Sequence, residues 1–232
     1  MTIASSTLTR LAGLAAAAGG LIFIGVQINH PHTDVTTITT TEMAVRNTLK
    51  LLMAALVLLG ITGMYLRQTK QTGALGLVGY LTFGAGYLSI MCTTFVAAYV
   101  LPSLVDTDPG YVRDVLEAST NGSAQGDIGA LATVLQLQGL AYLAGGLLFG
   151  VALYRARVLS RWASALLAVS GFVSVVLAVA PDAFYRLLAF PNAIAMIALG
   201  YSLWRVAREE QNTPNPATVP AGPSHVTTAG AA

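Results

Sequence analysis

The chain has 232 residues, of which 55% are hydrophobic and only 9% charged, and its formal net charge is +2. Soluble domains carry roughly 25% charged residues. This chain lacks the polar surface to face water on all sides, and its mean hydropathy of +0.68 points to lipid as its solvent. So small a net charge gives no case for nucleic acid, no GxxxxGK phosphate loop is present, and the single cysteine, Cys92, rules out intramolecular disulfides and a Cys-built metal site.

Six apolar segments are long enough to cross about 30 Å of hydrocarbon at about 1.5 Å per residue: 11–28, 44–66, 74–101, 128–154, 162–180 and 183–204. The runs are continuous rather than alternating, so helices are expected and strands are not. The expected fold is therefore all-α, a polytopic membrane protein with residues 1–209 as one six-helix bundle.

The first segment follows Arg10 and resembles a signal peptide. No small-residue cleavage site follows it, and it ends in Gln27, Asn29, His30 and Pro31, so it reads as a retained span. His30-Pro31-His32-Thr33-Asp34 offers two histidines and one acid. A zinc site usually needs three good ligands, and the remaining histidine, His225, lies in the tail. The pair reads as solvated loop residues, and neither a metal nor any other cofactor is expected. With no histidine mid-span, bis-histidine haem within the membrane is excluded.

The second segment has an uncharged stretch, 51–66, of only about 24 Å at helical rise. Its helix must begin earlier, and Thr39-x-x-Glu42 reads as a capping box that starts it near Thr40. Glu42, Arg46 and Lys50 then share one face at i, i+4 and i+8. Lys50 falls at or inside the outer boundary, where its ammonium either snorkels to the headgroups or turns inward to a partner.

The third segment carries Gly73, Gly76, Gly79, Gly84 and Gly86 and stops at Pro102. The fourth carries Gly146 and Gly150 as GxxxG, and the fifth Ser170, Gly171 and Ser174. Small residues let transmembrane helices approach closely, within one bundle or against a second copy. Between the third and fourth segments, residues 102–127 predict a short helix with Asp108 as N-cap, Pro109 first and Asn121-Gly122 as its stop. Tyr111, Val112, Val115 and Leu116 would share a face and Arg113 would pair with Glu117. Such a helix lies on the outer leaflet, lids the bundle, or merely fills the loop. Past Arg208 the composition turns to Pro, Ser, Thr, Ala and Gly, and residues 210–232 are expected to be a disordered cytoplasmic tail.

Charge sets the orientation. Arg10, Arg67, Lys70, Arg155, Arg157, Arg161, Arg205 and Arg208 fall on one side of the alternating topology; Arg46, Lys50, Arg113 and Arg186 fall on the other. The positive-inside rule places the first group, and both termini, in the cytoplasm. Tyr65, Tyr154, Trp162 and Trp204 fall at the same ends, where amphipathic rings prefer the headgroup level. The second, fourth and sixth segments each end in an aromatic residue followed closely by arginine. That fits three repeated helical hairpins, and equally six spans that each need an anchor.

Polar side chains within the segments concentrate in their outer halves: Lys50, Gln136 and Gln138, Cys92 with Thr93 and Thr94, Arg186, and Asn192 after Pro191. The expected site is an outward-opening pocket in which Lys50, Arg186, Gln136 and Asn192 meet, with Gln138 and Arg46 beside them. Catalysis finds no support. Cys92 has no base in reach, no serine sits in a GxSxG-type turn, and no carboxylate lies within a span for proton-coupled transport. The expected function is a non-enzymatic membrane component that binds a lipid-like or small anionic ligand, or that serves a membrane-protein partner or a homo-oligomer. The alternatives are an enzyme acting on a lipid or isoprenoid and a small homodimeric transporter.

The run Gly-Gly-Leu-Ile-Phe-Ile-Gly before His-Pro-His, the opening Leu-Lys-Leu-Leu-Met of the second segment, and Leu-Gly-Ile-Thr-Gly-Met-Tyr resemble uncharacterised small six-span membrane proteins of actinobacteria. The resemblance covers residues 11–208. It implies a bacterial inner membrane, implies no activity and transfers no functional residue.

Overall fold

A computed structural model describes residues 5–121, 123–177 and 189–212, and every regular element among them is helical. The helices are α1 (Ser5–Gln27), α2 (Thr41–Arg67), α3 (Thr69–Phe95), α4 (Pro109–Asn121), α5 (Ala130–Ala156), α6 (Arg161–Leu177) and α7 (Ala189–Asn212). A 3-10 turn, Thr37–Thr39, precedes α2. α3 runs on through a π turn, Val96–Val100, and a last α turn, Leu101–Leu104.

Four helices are long and apolar enough to cross a membrane: α1, α2, α3 with its extension to Leu104, and α5. That makes the chain a candidate multi-pass membrane protein. The expected count was six. The fifth expected span, 162–180, is described only as far as Leu177, which leaves α6 with 17 residues. The sixth, 183–204, begins outside the described residues, and the part within α7 carries Asn192 and Arg205 among its apolar residues.

The six long helices form a closed ring in chain order. Each packs on its sequence neighbours, and α7 closes the ring on α1. The first turn of α1 and the last turn of α7 meet at one end. There Arg10 Nη1 donates to Gln211 Oε1 at 2.9 Å, and Gln211 Nε2 donates to Ser6 Oγ at 2.7 Å. Arg67, the last residue of α2, pairs with Glu210 at that same end. α7 therefore continues through Asn212, past residue 209, where the bundle was expected to stop. The expected tail from 213 onward lies outside the described residues.

Close backbone approach holds the ring together, the means available where lipid removes the hydrophobic drive between helices. A Cβ on Gly13 would stand 2.6 Å from the Gly200 carbonyl oxygen, and one on Gly200 would stand 2.5 Å from that of Gly13. On the other side of the ring Gly79 lies against the Phe149 backbone, Gly145 against Phe83, and Gly150 against Ala168. Gly145, rather than Gly146, makes the tightest approach in the fourth segment, because it faces α3 squarely. Gly73 serves the backbone instead. Its φ of 57° turns the chain between the short α2–α3 connection and the straight part of α3.

Two local expectations shift. The N-cap of α2 is Thr40, whose hydroxyl accepts from Met43 N at 3.3 Å, one residue later than the capping box placed it. Glu42 does not reach back to a cap amide, because its carboxylate is held by Arg46 at 2.8 Å. In α4, Asp108 Oδ1 accepts from Tyr111 N at 3.0 Å, as an N-cap does. Val112, Val115 and Leu116 bury against Ile38, Met43, Leu101 and Ile128, so α4 lids the end of the ring away from the termini. Arg113 and Glu117 form no ion pair there.

Candidate functional site

The inner face of α2 is written as Met43, Asn47, Lys50, Ala54, Val57 and Ile61, spaced by fours and threes so that all six lie on one stripe. Five of the six are buried, and Lys50 is half-buried among them. Val45, Leu49, Leu52, Leu59 and Leu66 are exposed on the opposite, lipid-compatible side. Lys50 is thus turned into the ring, near the end away from the termini.

Its ammonium finds no carboxylate among the described residues. Nζ stands 2.8 Å from His30 Nε2, on the segment that leaves α1. His30 Nδ1 lies 2.7 Å from the Pro31 carbonyl oxygen. A carbonyl only accepts, so Nδ1 carries the proton and donates. That leaves Nε2 with its lone pair to accept from Lys50. The nearby acids are occupied: Glu42 by Arg46, and Asp34 by the Thr36 and Thr37 amides, both at 2.8 Å from its Oδ1, and by the Thr36 hydroxyl at 2.7 Å. Those donors hold the Asp34 carboxyl down at about 2, the Thr36 hydroxyl contributing most. His32 faces Asp34 at 3.8 Å, so the two loop histidines point to different partners.

Arg46 is spent on structure. Its Nη1 donates to the Val26 and Ile28 carbonyls, both at 3.0 Å, and Nη2 to that of Asn29 at 3.2 Å. These are carbonyls at and just past the C-terminal end of α1, which have no partner within the helix and carry its negative dipole end. The guanidinium caps α1 and ties it to α2.

Deeper in the ring Tyr87, fully buried on α3, donates to Asn192 Oδ1 on α7 at 3.0 Å. This bond crosses the bundle interior. Gly84 faces Leu58, so Tyr87 sits roughly 7 Å below Lys50 by helical rise. Tyr142 stands edge-on to Tyr87 with centroids 5.6 Å apart. One turn of α5 above Tyr142, Gln138 Oε1 accepts from Thr93 on α3 at 2.8 Å. Gln138 therefore shares the inner side with these groups. Gln136, two residues away, does not. It is exposed on the far face of α5, in a groove of about 370 Å³ beneath α4 that Ala118, Ala124, Ile128 and Leu135 also line.

Of the expected cluster, the structure turns Lys50, Asn192 and Gln138 to the interior, puts Gln136 outside it, and commits Arg46 to the cap. Arg186 lies outside the described residues. Sequence reasoning missed Asn47 and His30. Asn47 is only 5% exposed and makes no hydrogen bond among the described residues. Its signal was present, three residues before Lys50 on the same stripe. Among the described residues no three His, Cys, Asp or Glu side chains gather as a metal site would need.

No protein-family model matches this chain, and searches of curated proteins and of solved structures give no match.

Proposed function

We propose that the protein is a six-span component of a bacterial inner membrane, with both termini cytoplasmic, that binds an anionic, lipid-like ligand at the outer mouth of its ring without transforming it. The observation that carries this reading is Lys50, a cation turned into a helical bundle and left without a carboxylate among the described residues. A charge within a span costs on the order of 3 kcal/mol at mid-membrane, and less near the boundary. A ligand anion supplies the missing counter-charge. Asn47, beside it, has two amide donors to offer. Tyr87, Asn192, Thr93 and Gln138 satisfy one another further in and form the floor. In this reading the fifth and sixth expected spans, 162–180 and 183–204, both cross the membrane, α6 and α7 forming their described parts.

The reading is tested by purifying wild-type and Lys50→Met protein from the same membranes and identifying the small molecules each retains by mass spectrometry. An anionic species retained near one-to-one by the wild type and lost from Lys50→Met is the expected result. Equal retention by both proteins contradicts it. Conversion of the retained species into a product would move the protein to the enzymes.

A further inference from the structure

Two sectors share the end of the ring where the termini meet, and they treat their cations differently. On the side of α1, α2 and α7 each basic side chain among the described residues has a partner in the chain. Arg10 bonds Gln211, Arg67 pairs with Glu210, Arg205 pairs with Glu209, and Arg208 lies 5.3 Å over the Trp204 ring. On the side of α3, α5 and α6 stand Lys70, Arg155, Arg157 and Arg161, all exposed. The sequence has no Asp or Glu from residue 43 to 105 or from 128 to 181, so these stretches carry no acid of their own. Lys70, Arg155 and Arg157 form no ion pair and no side-chain hydrogen bond among the described residues. Arg161 donates to the Tyr154 hydroxyl at 2.7 Å and stacks on that ring.

Packing brings the four cations together. α3 and α5 run antiparallel, with Gly79 against the Phe149 backbone and Gly86 against that of Tyr142. That register sets the first turn of α3, with Lys70, beside the last turn of α5, with Arg155. Only residues 157–160 separate α5 from α6, so Arg157 and Arg161 follow at once. Beside the cations the surface is ordered as a phospholipid is. Tyr154 and Trp162 are exposed at the rim, at the level where amphipathic rings prefer headgroups. Gly150 packs on Ala168, which sets Leu147 of α5 level with Val169 of α6, both about half exposed. Phe172 lies further along α6 and is 70% exposed.

We propose that this sector binds an anionic phospholipid of the leaflet at that end, its phosphodiester among Arg155, Arg157 and Arg161 with Lys70 beside it, and its acyl chains along the exposed rows of α5 and α6. Guanidinium groups donate in pairs to phosphate oxygens. A free anion has no use for the exposed tryptophan or the apolar rows, and a lipid uses both. The lipid supplies the counter-charge that the other sector finds in Glu209 and Glu210. The proposal rests on the chain spanning a membrane. It does not rest on the ligand read for Lys50, which lies toward the other end of α2.

The test uses full-length protein, purified in detergent and returned to nanodiscs of phosphatidylcholine with a minor share of phosphatidylglycerol. After extraction in mild detergent, native mass spectrometry counts the bound lipids of each kind. The wild type is expected to retain phosphatidylglycerol well above its share. The double variant Arg155→Gln/Arg157→Gln is expected to cut that enrichment by about fivefold for each arginine replaced. Its unfolding temperature in lipid-free detergent is expected to stay unchanged, since neither side chain holds another group. Arg205→Gln/Arg208→Gln removes the same charge from the paired sector and is expected to keep the enrichment. Lys50→Met is expected to keep it too, which separates this lipid from the ligand proposed for Lys50. Excess inorganic phosphate is expected to displace the lipid no better than chloride at equal ionic strength.

Retention of the two lipids in proportion to their supply overturns the proposal, as does enrichment that survives in Arg155→Gln/Arg157→Gln. Equal loss from both arginine pairs overturns it by showing a diffuse charge effect, and displacement by phosphate beyond the chloride effect by showing a free-anion site. Loss in Lys50→Met assigns the lipid to Lys50 instead. Arg155→Gln alone carries the same comparison where the double variant fails to fold.

Discussion

The two ends of the ring's interior are built differently. Toward the end where the termini meet, α2 offers Val57, Ile61 and Met64, α3 and α5 offer Phe83 and Phe149, and α7 offers Leu199 and Leu203, all fully buried. The arginines at that end are mostly engaged: Arg10 with Gln211, Arg67 with Glu210, Arg205 with Glu209, and Arg161 stacked at 4.4 Å on Tyr154. Toward the other end the same α2 stripe carries Asn47 and Lys50, an amide and a charge where the rest of the stripe is apolar. The difference is not one of unsatisfied atoms, since the buried side-chain atoms without a partner among the described residues, Arg10 Nε, Arg67 Nε and Gln68 Oε1, lie at the end where the termini meet. Apolar packing explains why a bundle holds together. A charge turned into the same bundle carries a cost that packing does not explain. The comparison locates function at the end with the inward charge, and substitutions at the two ends should behave oppositely.

The largest effect is expected at the saturated helix contacts. Gly13→Leu drives a side chain into the Gly200 backbone and is expected to cost several kcal/mol, on the order of 3 or more, or to prevent folding. Gly139→Ala, where a Cβ meets nothing within 4 Å, is the matched control and is expected to be neutral or slightly stabilising. Thermal unfolding in detergent reads both. Equal effects would mean that the glycine contacts do not hold the ring.

A smaller loss is expected for Tyr87→Phe, which removes the hydrogen bond that Asn192 accepts across the interior: about 1–3 kcal/mol, by the same unfolding measurement. No change would indicate that the bond across the interior is dispensable. At Lys50 the sign is expected to reverse. Lys50→Met removes a half-buried charge that has no carboxylate beside it among the described residues, and is expected to raise stability by about 1 kcal/mol or leave it unchanged, while ligand retention is lost. A clear destabilisation would make Lys50 a structural residue.

The smallest effect concerns the loop before α2. The Asp34 carboxyl titrates at about 2 when folded and near 3.8 otherwise. A depressed carboxyl favours the folded loop fully above 3.8, and that preference is lost as pH falls through about 2. Protease cleavage within residues 30–40 is expected to accelerate across that window in the wild type. Asp34→Asn should show no acid-dependent step there.

Much of this architecture was legible from composition and period. Helix α4 follows from Asp108-Pro109, since a capping carboxylate and a proline at the first turn satisfy a helix start without tertiary help. The early start of α2 follows from a span too short to reach across without its polar first turns, whereas the direction of Lys50 does not, because along the helix alone it could snorkel as well as turn inward. What escaped depends on neighbours. Arg46 and Lys50 look equivalent along the helix, and only the placement of the end of α1 tells a capping arginine from a lysine turned to His30. Gln136 and Gln138 look equivalent in depth, but two residues are about 200° of helix, so they face opposite sides. Asn47 was passed over because an amide at the boundary draws little notice beside a charge, until its place on the buried stripe of α2 is seen.

The most direct test of the outward-opening site is thiol labelling of Lys50→Cys, made in a Cys92→Ser background because Cys92 is itself exposed. Cells are treated from outside with a membrane-impermeant maleimide, and Ile61→Cys on the same stripe, fully buried, serves as the reference. The expected result is labelling of Lys50→Cys from outside, none of Ile61→Cys, and protection of Lys50→Cys by the anion that the wild type binds. Labelling of Lys50→Cys only after the cytoplasmic face is opened, or no protection by any bound anion, would contradict an outer site at Lys50.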